Sequence, residues 1–135
     1  MQEVLPMSVL ELAQKNMRDY LRTHDARYVT EDAVFINKAT GERIEGRGAI
    51  GQMLQYFYHI AFDAHAEHTN VLVMEDRALA EGLFIGKHIG EFAGIPATGK
   101  IVSVPLCVTY TLEKSLIKEA RTYMMTDVLM KQLQS

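Results

Sequence analysis

The chain has 135 residues, 48% of them hydrophobic and 23% charged, with a net charge of -3. That is enough apolar material for one core, so a single domain over residues 1–135 is expected. The acidic balance, with no cluster of Lys and Arg, speaks against a nucleic-acid partner, and the apolar runs are far too short to span a bilayer.

In chain order, the first ten residues carry Glu3 and no Lys or Arg. They lack the basic start of a signal peptide, and a cytoplasmic location is expected. Ser8 and Glu11 make a capping-box pattern. After it, Val9, Leu12, Ala13, Met17, Tyr20 and Leu21 recur at helical spacing and predict an amphipathic helix of about four turns. A short turn is expected over 25–29, a short strand over 33–36, and a polar loop or hairpin over 38–48. Residues 47–60 read as a second helix with Ile50, Met53, Leu54, Phe57 and Tyr58 on one face.

The pattern then changes. Residues 65–74, 77–89, 101–112 and 117–127 read as strands, while 128–134 is too short to assign. Early helices followed by a four-stranded antiparallel meander predict an α+β fold: a curved antiparallel sheet wrapped over the helices, with a pocket on its concave side. Cys107, the one cysteine, excludes an internal disulfide and a cysteine-based zinc site, and reads as a small buried hydrophobe.

Side chains alternate faces along a strand. Ala80, Gly82, Phe84, Gly86 and His88 therefore share one face, with the glycines leaving space or permitting a bend. Glu119, Arg121, Tyr123, Met125 and Asp127 share a face of the last strand, which carries nearly all its polar chemistry. His65 and His68 fall on opposite faces, a poor metal pair, and no metal is expected. His24 and His59 read as helix-surface residues, and Glu67 as a cross-strand ion-pair partner. Arg121 suits either a ligand carboxylate or phenolate, or an ion pair with Glu119 or a neighbouring acid. Phe35, Phe57, Tyr58 and Phe62 are candidates to line a cavity.

The stretch Gly86-x-His88-x-Gly90-Glu91-Phe92-x-Gly94-Ile95-Pro96-Ala97-Thr98-Gly99-Lys100 resembles the SnoaL-like polyketide cyclase family. So do Tyr28 with Asp32 and Phe35, the entry Ile44-Glu45-Gly46-Arg47-Gly48-Ala49-Ile50, and Ile117 through Arg121 and Tyr123 to Gln132-Leu133. The resemblance implies the cone-shaped α+β fold of ketosteroid isomerases and nuclear transport factors. It also implies an intramolecular aldol condensation without cofactor or metal, run by a carboxylate of tuned pKa in a dry pocket. The family's carboxylate falls two residues after the tyrosine of the last strand, where this chain has Met125, which cannot transfer a proton.

That leaves His88, matching the family's histidine, and Asp127 as expected catalytic residues. As a strand residue Asp127 would lie about 6.6 Å beyond Met125. Phe35, Phe57, Phe84, Arg121, Tyr123 and Met125 are the expected substrate-binding set, with His88, Arg121 and Tyr123 pointing into one cavity. The partners expected are a small hydrophobic carbonyl compound and a second copy of the chain, docked through an outer sheet face that includes Leu83, Ile85 and Ile89. The alternative function is a ligand-binding cone that has lost its acid/base group. An epoxide hydrolase would need two Asp and an Arg clustered on a water, and only Arg121 and Asp127 are in view.

Overall fold

The computed structural model describes residues 7–135, and its first helix begins where the Ser8 and Glu11 spacing predicts. Ser8 Oγ accepts the Glu11 N–H at 3.1 Å, and Glu11 accepts the Ser8 N–H at 3.3 Å. Helix α1, Val9–Thr23, buries Ala13, Met17, Tyr20 and Leu21. It ends at His24, which takes the left-handed conformation (φ 51°) and donates its N–H to the Tyr20 carbonyl. A 3-10 turn, Ala26–Tyr28, follows, with the Asp25 carboxylate accepting the Arg27 N–H.

Strand β1, Val29–Asn37, is longer than predicted because it continues through the polar Thr30 to Asp32 with an irregularity in its pairing. It forms a hairpin with β2, Arg43–Glu45. Helix α2, Arg47–Gln55, passes into a π-helical turn, Tyr56–Ala61. Four long strands come next: β3, Phe62–Val73; β4, Arg77–His88; β5, Ile101–Glu113; and β6, Leu116–Met124. Helix α3, Thr126–Gln134, then packs Leu129 and Leu133 into the core.

The six strands make one sheet in the order β2-β1-β6-β5-β4-β3. The predicted antiparallel meander is its larger part. β1 lies parallel to β6, with Phe35 opposite Ala120, so the sheet is mixed rather than wholly antiparallel. Together with the helices it forms the α+β cone.

Two features of the sequence shape the sheet. The glycines of β4 do not leave open space; they let β3 lean over β4. A Cβ on Gly82 would meet the Glu67 carbonyl, with His68 Cα 2.8 Å away, and one on Gly86 would lie 2.5 Å from Ala64 Cβ. The second feature concerns β5, which begins before β6 can cover it. Ser103 has no partner on β6, and the Gln132 side chain of α3 replaces one. Its amide donates to the Ser103 carbonyl and accepts the Ser103 N–H, both at 2.8 Å. Among the described residues, no helix is long and apolar enough to cross a membrane.

Candidate functional site

The face of β4 expected to look inward does so. Ala78, Ala80, Gly82, Phe84, Gly86 and His88 are all buried, and they register with Val102, Val104 and Val108 of β5, which are buried too. His88, at the end of β4, has no exposed surface. Its position is fixed by the β4–β5 loop: its N–H bonds to the Lys100 carbonyl and its own carbonyl accepts the Gly99 N–H. Gly99 sits at φ 71°, which glycine adopts freely.

The loop also fixes the ring. The Thr98 N–H donates to His88 Nδ1 at 3.2 Å, and Thr98 Oγ1 lies 2.9 Å from the same nitrogen while accepting the Lys100 N–H at 3.2 Å. An Nδ1 that accepts an N–H carries no proton of its own, so the neutral ring holds its proton on Nε2. That Nε2 is sealed from solvent and has no hydrogen-bond partner among the described residues. Buried polar groups without partners are rare, and one at a strand end calls for a physical explanation.

Aromatic rings fill the adjoining space. Phe62 lies 5.2 Å from the His88 ring, and Phe57, Phe84 and Phe92 pack against Phe62 at 5.3 to 5.6 Å. Phe57 and Phe84, two of the expected lining residues, are therefore in the cluster beside His88. Phe35 is buried on the inner face of β1, across two intervening strands.

The other expected members are elsewhere. Arg121 pairs with Thr109, opposite Leu79, and Tyr123 with Cys107, opposite Glu81. Both therefore lie on the outer face, and the expected convergence with His88 does not occur. The reason is that the polar set of β6 is its solvent side, whereas Ala120, Thr122 and Met124 face inward. Lys118 adds to the mismatch, being the extra residue where the pairing shifts between β5 and β6. Arg121 is occupied by protein: Nε donates to Thr109 Oγ1 at 2.8 Å, the outer nitrogens reach Thr111 Oγ1, and Glu119 forms an ion pair at 3.2 Å. Glu67 pairs with His65 of its own strand at 3.4 Å, not across strands.

The last strand stops at Met124, short of the expected 127. Met125 is half exposed and stands at the N-cap of α3, its carbonyl accepting the Val128 and Leu129 N–H groups. Asp127 is not a strand residue. It is exposed in the first turn of α3, where a carboxylate favours the helix dipole.

A group that sequence reasoning placed on the helix surface is half-buried. Held inward by the left-handed end of α1, the His24 ring stacks on Tyr58 at 4.1 Å and 16° and meets the Tyr20 ring edge-on at 5.3 Å. Burial, reinforced by His68 and His59, pushes its pKa down to about 4, so the ring is neutral at pH 7. One side of His24 borders a recess of about 360 Å³ between the end of α1 and α2, lined also by Thr23, Gln55 and His59. A second recess, about 420 Å³, lies on the outer face around Leu72, Met74, Arg77, Leu79 and Arg121. The periodicity of α1 does place Tyr20 on the buried face. No sequence signal marks His24, because its direction depends on one residue turning to positive φ.

No curated protein matches the chain. Solved structures share its shape at low identity. A proposed SnoaL-like polyketide cyclase from Jannaschia sp. CCS1 superposes with a TM-score of 0.83 at 17% identity, covering 100% of this chain and 99% of that one. TsrD from Streptomyces laurentii gives 0.73 at 21%, covering 96% and 98%. A hypothetical protein with a ketosteroid isomerase-like fold from Catenulispora acidiphila DSM 44928 gives 0.70 at 14%, covering 90% and 92%. Identities this low establish the shared fold and nothing finer. The family model for the SnoaL-like polyketide cyclases matches residues 12–133, from the exposed side of α1 to the buried Leu133 of α3 and through the loop that clasps His88, and the chain belongs to that family.

Proposed function

We propose that this protein binds a small hydrophobic carbonyl compound inside the cone, with the Nε2–H of His88 donating to the carbonyl oxygen. The observation that carries the reading is the orphaned His88 Nε2. Leaving a buried donor unpaired costs about 1 to 3 kcal/mol, which a ligand oxygen would recover. The neighbouring phenylalanines supply the apolar contact surface, and Phe57, only partly buried, is the ring able to move aside.

A neutral imidazole that donates to a carbonyl polarises it toward the enolate. Completing an aldol reaction also needs a base, and the family's position for one holds Met125. The proposed activity is therefore binding and polarisation of a carbonyl group, without cofactor. The test is calorimetric titration with a panel of naphthyl ketones. Binding by wild type that weakens at least fivefold in His88→Ala supports the reading; equal binding by the two proteins refutes it.

We further propose a homodimer through the outer sheet face. Leu83 and Ile85 lie on that face, and Leu72, Ile101 and Tyr123 are strongly exposed. Sedimentation at micromolar concentration decides it, a 15.3 kDa species being the contrary result.

A further inference from the structure

Three tyrosines meet inside the cone at the other end of β4 from His88. Tyr110 pairs with Ala78 of β4, and its ring stands edge-on to Tyr20 of α1 at 6.0 Å. Tyr20 adjoins His24, and His24 stacks on Tyr58. The three are 2%, 8% and 3% exposed for Tyr20, Tyr58 and Tyr110.

A buried tyrosine normally satisfies its hydroxyl. Tyr56 of this chain does so, donating to the Glu91 carbonyl. The three interior phenols do not: none bonds to a described residue, and neither does the His24 ring. Burial raises all three phenols above the ordinary tyrosine range, and their mutual proximity raises Tyr20 and Tyr110 further. They stay protonated, and remain donors, at any physiological pH. Rings run without a break from this group to His88: Tyr58 to Phe84 at 5.4 Å, Phe84 to Phe62 at 5.3 Å, Phe62 to His88 at 5.2 Å.

We infer that Tyr20, Tyr58 and Tyr110, with His24 beside them, form a second polar anchor that holds a hydroxyl or enol oxygen of an aromatic ligand. The phenols donate to that oxygen, and the unprotonated His24 accepts its proton in a hydrogen bond. This rests on the reading of the cone interior as the ligand site, and it adds that the ligand carries an oxygen on a ring remote from the carbonyl that meets His88.

The test uses the intact protein with 2-naphthol, and naphthalene as the oxygen-free control, measured by equilibrium dialysis. Wild type should bind 2-naphthol about tenfold tighter than naphthalene. Tyr20→Phe and Tyr110→Phe should each reduce the 2-naphthol affinity about fivefold, the worth of one hydrogen bond, and leave naphthalene unchanged. Thermal melting separates this from a structural role. A phenol kept for a ligand leaves the melting temperature unchanged or higher when its hydroxyl is removed, and a phenol that supports the fold lowers it. Equal binding of the two probes, binding of neither, or a lower melting temperature in both variants overturns the inference. The His88 reading stands or falls separately, on whether naphthyl ketone binding depends on His88.

Discussion

His24 makes the stability of this protein depend on pH below neutrality. In the unfolded chain the imidazole takes its proton near 6.5; in the folded chain burial holds that event down to about 4. Between those values the unfolded state binds the extra proton, so stability falls as pH falls. Going from pH 7 to pH 4.5, the two-state linkage relation gives a loss of about 2.5 kcal/mol from this one group. For a domain of this size that is a fall of about 8 °C in melting temperature. The variant to compare is His24→Asn, because asparagine tolerates the left-handed conformation that closes α1. Urea denaturation of both proteins at pH 7 and 4.5 isolates the effect, since carboxylate contributions are common to the two. The wild type should lose about 2.5 kcal/mol more than the variant. Parallel losses would mean that the ring is not held against Tyr58, and the reasoning would fail.

Three further outcomes are expected. Thr98→Val removes the hydroxyl that faces His88 Nδ1 and accepts the Lys100 N–H, and should cost about 1 to 2 kcal/mol; nitrogen NMR of the wild-type ring should show the proton on Nε2, and a proton on Nδ1 would sink the donor role. Gly82→Ala should cost about 3 kcal/mol, because the new methyl runs into β3 backbone, whereas Gly48→Ala, with open space around it, should be neutral or stabilising by up to about 1 kcal/mol. Met125→Asp places a capping side chain at the bare N-cap of α3 and should raise stability by about 1 kcal/mol; Met125→Asn should match that gain, and a loss of stability in both would count against the N-cap assignment.

Alternation along β4 grouped Ala80, Gly82, Phe84, Gly86 and His88 on one face, and that face is the buried one. The same rule failed on β6. Alternation says which residues share a face, never which face is inward. The polar set of Glu119, Arg121 and Tyr123 resembles a binding surface until its pairing with Thr111, Thr109 and Cys107 turns it outward. Helix α3 escaped notice because nine residues offer only Leu129 and Leu133 as buried marks of its period. The parallel contact of β1 with β6 joins residues nearly ninety apart, such as Val29 and Ile117, and no local pattern encodes such a pairing. Helical spacing did place Tyr20 on the apolar face of α1, and Tyr58 was a candidate to line a cavity. That their hydroxyls lack partners is a property of the three-dimensional surroundings alone.

The Gln132 side chain bonded to Ser103 has a consequence for how the chain is made. Where β5 outruns β6, its backbone presents an N–H and a carbonyl that any passing strand could adopt. Helix α3 follows every strand in the chain, so on the ribosome this edge stands open until the last segment of the fold emerges. For that interval the nascent protein offers a template for pairing between chains. A Gln132→Ala chain should therefore deposit more insoluble material during synthesis than its modest loss of folded stability would imply, and the glutamine acts as a guard against self-association as much as a contact in the finished fold.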